Sequence, residues 1–223
     1  MKVVCLSDTH NFGAEIAVPD GDLLIHAGDG TINGTDAEFT EFALWIRALP
    51  HRHKVLIAGN HDWLFQTRPE AARRMFDGVH YLQDSSIVIE GLKIYGSPWQ
   101  PRFFDWAFNL NRGAAMAAKW EAIPEDTDIL ITHGPPQGIL DRTPAGDLAG
   151  CEELRKRIDA IRPGLHVFGH IHLGYGVLES AGTVFVNASN CNEAYEPVNP
   201  PIVLRHSVID GVSTFEPITD GRG

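Results

Sequence analysis

The chain has 223 residues, 43% of them hydrophobic, enough to bury a sizeable core, and no shift in composition divides it, so one domain spanning 1–223 is expected. A formal net charge of -11 argues against a nucleic-acid polymer or an anionic membrane as the main partner, because both reward a basic face. Cys5, Cys151 and Cys191 are too few and too scattered for a disulfide framework, and no apolar run approaches a membrane span or a signal-peptide core. A reducing, cytoplasmic setting is the expectation.

In chain order, short β-branched runs alternate with helical patterns and Gly/Pro/Asp punctuation. Strands are predicted at 2–6, 22–27 and 54–58. Between the second and third, residues 36–49 read as an amphipathic helix with Phe39, Phe42, Ala43 and Ile46 on one face. Thr35 is its candidate N-cap, with Glu38 three residues on. Helices follow at 69–76, 112–122 and 152–161, and strands at 128–132 and 165–168. The stretch 79–97 has the look of hairpins, with breaks at Asp84-Ser85 and Glu90-Gly91, and the tail offers strands near 183–186 and 202–208. Strands alternating with helices, plus two hairpin-rich regions, predict an α/β fold with two mixed sheets rather than one parallel sheet.

Polar residues with metal-binding or acid/base chemistry collect where these strands end. Asp8 and His10 follow the first, Asp29 the second, and Asn60, His61 and Asp62 the third. His133 follows "DILIT", and His170 and His172 follow "LHVFG". Carboxyl ends of strands are where α/β folds place their sites. An Asp or His after one strand is usually a turn or cap residue; five strand ends sharing this chemistry point to a site. The chain also carries decoys. His51 and His53, in "HRHK", precede a strand and read as a solvated turn, while His26, His80, His166 and His206 read as structural, with His26 a candidate support for the site rather than a ligand.

Taken together, "DTH", "GD", "GNHD", "H" and "GHIH", in that order, resemble the signature of the calcineurin-like metallophosphoesterases. "GSPWQPRFFDWAFNL", "LHVFGHIHLGYG" and "NPPIV" are similar to a small subgroup of metallophosphoesterase-domain proteins, a likeness running to about Val203. The resemblance implies a four-layer αββα sandwich with two mixed β-sheets and a dinuclear metal centre. It implies one site from Asp8, His10, Asp29 and His172 and a second from Asp29, Asn60, His133 and His170, with Asp29 bridging. His61 would lie beside the phosphate and leaving group, and Asp62 would orient its imidazole.

The donor chemistry agrees with that implication. Imidazole and oxygen ligands without thiolate suit manganese or iron, with zinc as a further option, better than calcium. Two divalent ions supply about +4, and two aspartates with a bridging hydroxide remove about 3, leaving a small positive excess for a phosphoester. The expected activity is hydrolysis of phosphodiester bonds in small, nucleotide-like substrates by that hydroxide. The alternatives are a serine/threonine protein phosphatase, for which the arginine of "GDxxDRG" is missing after Asp29, and a metal- or nucleotide-binding module with little turnover. "GDGTING" has no P-loop lysine and does not fit the dinucleotide spacing. Trp99, Phe103 and Trp106 either stack on a substrate ring or pack internally, and Arg102 and Arg112 are weaker candidates for a phosphate contact.

Overall fold

A computed structural model describes residues 1–218. In chain order the elements are β1 (Lys2–Leu6), β2 (Leu23–His26), α1 (Asp36–Ala48), β3 (His53–Leu56), α2 (Trp63–Thr67), α3 (Pro69–Met75), β4 (His80–Tyr81), β5 (Ser85–Ile89) and β6 (Leu92–Ser97). A short pair, β7 (Gln100–Pro101) and β8 (Asn109–Leu110), precedes α4 (Ala114–Glu121), β9 (Ile129–Thr132), α5 (Glu152–Ile161) and β10 (Leu165–Phe168). The chain continues through β11 (Gly176–Ser180), β12 (Thr183–Asn187), β13 (Ile202–Ile209) and β14 (Val212–Pro217).

Two six-stranded sheets result, ordered β14-β13-β1-β2-β3-β4 and β11-β12-β10-β9-β6-β5. Both are mixed. In the first, β1, β2, β3 and β4 run parallel while β13 and β14 join antiparallel. In the second, β12, β10, β9 and β6 are parallel, with β11 and β5 antiparallel at the edges.

Period-two alternation explains the layering. On β1, Val3 and Cys5 point to one face and meet Ile129, Ile131, Leu165 and Val167 of the other sheet, while Val4 and Leu6 point outward to Phe39, Phe42 and Ile46 of α1. On the far side, Leu130 and Phe168 pack against Trp120 of α4 and Leu154 and Ile158 of α5. Both sheets are therefore apolar on both faces, and helices cover the outer ones, giving the αββα sandwich. The Thr35–Glu38 capping box that opens α1 is present, which fixes the helix start where the sequence puts it.

Several expectations need correction. "HRHK" is not a solvated turn: His51 is only 4% exposed and its Nε2 donates to the carbonyl of Pro19 at 3.1 Å, while His53 begins β3 and faces Glu90 at 3.4 Å. The helix expected from 112 starts at Ala114, because Gly113 takes a positive φ of 82° that breaks the helical backbone, while the Arg112 guanidinium donates to the carbonyls of Ala149 and Gly150 and pairs with Glu152. Strands β7, β8, β11 and β14 and helix α2 lie outside the predicted elements. The Glu90-Gly91 break is a hairpin turn with both residues at positive φ, and Asp210-Gly211 between β13 and β14 repeats it. No helix among the described residues is long and apolar enough to cross a membrane.

Candidate metal centre

The carboxyl ends of β1, β2, β3, β9 and β10 converge on one edge of the sandwich. The loops there leave ordinary backbone geometry: Asp8, His10, Asp29 and His170 all have positive φ, at 51°, 42°, 55° and 67°. Non-glycine residues rarely adopt this region, and its concentration at one place is the mark of a functional loop cluster. The side chains it delivers form three overlapping groups whose donor atoms lie within 4.8 Å of one another: Asp8, His10 and His172; His10, Asp29 and His61; and Asp29, His133 and His170. Asn60 joins the last group, with its Oδ1 2.9 Å from His133 Nε2.

Asp29 sits at the centre. Its Oδ1 accepts from the His61 backbone N–H at 2.8 Å, while Oδ2 lies 3.2 Å from His133 Nε2 and 4.0 Å from His61 Nε2. Asp8 is held from the opposite side, its Oδ2 accepting from Ser189 Oγ at 2.8 Å and from the His170 N–H at 3.0 Å. The close approach of β10's loop to Asp8 explains Gly169: a Cβ there would fall 2.0 Å from Asp8 Oδ2 and 2.2 Å from Ser7 Oγ.

Four imidazoles share one device. Nδ1 donates to a main-chain carbonyl in each: His10 to Thr31 at 3.1 Å, His61 to Ile32 at 2.5 Å, His133 to Ala27 at 3.0 Å and His172 to Asn192 at 2.8 Å. That fixes the ring and leaves Nε2 to face the others, the arrangement metal-ligating histidines use. His10 Nε2 is buried with no hydrogen-bond partner, a costly omission unless something binds it.

The electrostatics lean the same way. Burial alone would lower His133 and His172, yet the charges of Asp29 and Asp8 beside them raise each to about 9. Burial likewise opposes ionisation of Asp29, but His133 and His61 hold its carboxyl well below the usual range. A proton on Nε2 therefore stands where a cation would compensate the same two carboxylates. An imidazole and oxygen donor set without thiolate, one orphaned buried nitrogen and pinned tautomers together fit divalent transition-metal ions.

Asp62 has a different job from the one expected. Its carboxylate does not touch the His61 ring; it accepts from the backbone N–H groups of Asp29, Gly30, Thr31 and Gly59 and from Thr31 Oγ1. It ties the β2 and β3 loops together, while the Ile32 carbonyl orients His61. Burial and the neighbouring Asp29 charge push the Asp62 carboxyl up to about 6, against the pull of those donors. His26 supports the site as a buried neighbour, 3.0 Å from Thr9 Oγ1.

The aromatic loop divides. Trp99 is structural, donating from Nε1 to Asp84 and packing on Phe108, whereas Trp106 lies against His61, tilted by 38° with ring centres 4.2 Å apart. Phe103 stands edge-on to His170 at 5.7 Å. Arg102 pairs with Asp105 and Arg112 braces the loop described above, so neither lines the cleft. Tyr195 went unrecognised in the sequence; its ring lies 4.7 Å from that of His10 and 5.5 Å from that of His172. A tyrosine in a polar turn carries no ligand signature. The resulting cleft, about 340 Å³, is lined by Asp29, Asn60, His61, His170 and His172 at its floor and by Phe103, Pro144, Leu173 and Tyr195 at its walls.

Residues 1–174 match the family model described as calcineurin-like phosphoesterase. The chain is 45% identical over 228 residues to metallophosphoesterase domain-containing protein 1 of Homo sapiens, covering 91% of this chain and 70% of that protein. A UPF0046 protein of Caenorhabditis elegans is 39% identical, covering 92% of this chain and 74% of the relative. Among solved structures, the phosphopantetheinyl hydrolase of Mycobacterium tuberculosis shares the fold, with a TM-score of 0.62 at 14% identity over 99% of this chain and 96% of that one. The motifs at the five strand ends all fall inside the matched segment, and on that match and these identities the chain belongs to the calcineurin-like phosphoesterase family.

Proposed function

We propose that this protein is a two-metal phosphodiesterase acting on small, nucleotide-like esters, with residues 1–223 as one catalytic domain. Asp8, His10, Asp29 and His172 would hold one ion, and Asp29, Asn60, His133 and His170 the other, with manganese or iron preferred to zinc. Bound there, the pair supplies an acidified water as nucleophile and neutralises charge on the phosphoryl oxygens.

The chain's own residues do the rest. The floor of the cleft orients the phosphoryl group, and the apolar walls hold an ester substituent and limit access of bulk water. His61, with its Nδ1–H committed to the Ile32 carbonyl, presents Nε2 to the cleft, and as the doubly protonated imidazolium it would give the Nε2 proton to the departing oxygen and be left as the neutral Nδ1–H ring. Asp62 keeps the loops that carry Asp29 and His61 in register.

The observation that carries the diester reading is the lining itself: among the described residues no lysine or arginine faces the cleft. A phosphomonoester dianion, free or on a peptide, needs more cationic help than a monoanionic diester. The test is a screen of metal-reconstituted protein against matched nitrophenyl diesters and monoesters, nucleotide diesters and phosphoserine peptides. Higher kcat/KM for diesters is expected, with little action on peptides. Efficient phosphopeptide hydrolysis with diesters left intact would reverse the choice.

A further inference from the structure

One charged side chain of the cleft has no part in holding ions or in proton transfer. Glu193 lines the cleft wall, is exposed, and is the one acid there besides Asp29 among the described residues. Its place is fixed by a tight turn. Asn192 Oδ1 accepts from the N–H groups of Ala194 and Glu196 at 2.9 and 3.0 Å, and the Asn192 N–H donates to the Glu196 carbonyl at 2.9 Å. The same turn is anchored to the site twice: the Asn192 carbonyl accepts from His172 Nδ1 at 2.8 Å, and Tyr195 packs on His10. The turn therefore fixes the Glu193 backbone at the rim of the cleft.

From this placement we infer that Glu193 is the charge-selecting residue of the cleft, disfavouring dianionic phosphoesters relative to monoanionic ones; the inference rests on the phosphoesterase reading above. Among the described residues no lysine or arginine lines the cleft, so a rim carboxylate offsets part of the pull that ions held at the floor would exert on each added negative charge. The dianion and the monoanion differ by one unit of charge. Across a partly solvated rim, that unit changes relative affinity by roughly three- to tenfold, and salt screens the effect. The apolar wall of Phe103, Pro144 and Leu173 is indifferent to that difference, so among the wall residues the charge discrimination falls to Glu193.

The test uses metal-reconstituted protein and two non-hydrolysable probes of nearly the same shape: phenylphosphonate, dianionic at alkaline pH, and its monomethyl ester, a monoanion. Calorimetric titration of Glu193→Gln should show phenylphosphonate binding tightened roughly three- to tenfold more than the methyl ester, with the difference shrinking in high salt. Glu125→Gln is the control, since it removes the same charge from the exposed segment that enters β9, at the opposite end of the sheet from the cleft. An unchanged ratio of affinities in Glu193→Gln, or an equal shift in Glu125→Gln, overturns the inference. Failure of both probes to bind the wild type overturns it too, together with the cleft as a phosphoester site. Probe binding with the expected ratio shift, but no hydrolysis of any ester, contradicts only the catalytic reading.

Discussion

Asp29→Asn is expected to reduce hydrolysis by roughly 10³-fold or more, the equivalent of several kcal/mol of transition-state stabilisation, and to cost more than loss of any non-bridging ligand. The reason lies in its position. Asp29 belongs to two of the three candidate metal groups, so one substitution removes a negative charge from both. The isosteric amide can keep the bond from the His61 N–H through its oxygen. Its NH₂ would then face His133 Nε2, which stands 3.2 Å from Oδ2 in the native side chain, and that face can no longer bind a cation. Metal analysis should show both sites depleted, against one in Asp8→Asn or His170→Ala, with circular dichroism unchanged. Two tightly held ions in Asp29→Asn would sink the bridging role.

His61→Ala should slow hydrolysis by about 10²- to 10⁴-fold for esters with poor leaving groups while both ions stay bound. His61 Nε2 is 4.0 Å from Asp29 Oδ2, and its ring, at the cleft floor, lies against Trp106. It also stands in one candidate metal group with His10 and Asp29, so the variant separates two roles. A proton donor matters most when the departing alkoxide is basic. The defect should therefore shrink for a nitrophenolate, which leaves without a proton. A drop in metal content would make His61 a ligand instead, and an equal loss across leaving groups would leave it no part in proton transfer.

Much of this architecture could be read without coordinates, and the failures have a common cause. Strand positions emerge because runs such as Val3 to Leu6 and Ile129 to Ile131 are apolar on both faces and stop at a charged or imidazole side chain, a purely local signal. The capping box of α1 is equally local. What escaped depends on partners distant in sequence. His51 looks solvated until Pro19, 32 residues earlier, presents its carbonyl. Asp62 looks like the partner of its neighbour His61 until the β2 loop brings three backbone N–H groups to it. Tyr195 gains its meaning only when the turn at Asn192 closes over His10 and His172. Strand β11 lies at a sheet edge with Leu178 and Val177 partly exposed, so its pattern is too weak to mark it.

The same contrast shows how the site is built. Residues expected to hold ions sit at strand ends, where position follows from the sheets. The groups that orient them are backbone carbonyls of Ala27, Thr31 and Asn192, which have no residue-type signature at all. Reading donors from sequence is feasible; reading the tautomers they adopt requires the fold.

Anomalous diffraction from crystals of manganese-reconstituted protein tests the central claim most directly. Two peaks are expected, about 3.5–4 Å apart as in two-metal hydrolytic centres, both against Asp29. One should be bracketed by Asp8, His10 and His172 and the other by Asn60, His133 and His170. A single peak, or two that leave Asp29 untouched, would contradict the dinuclear centre.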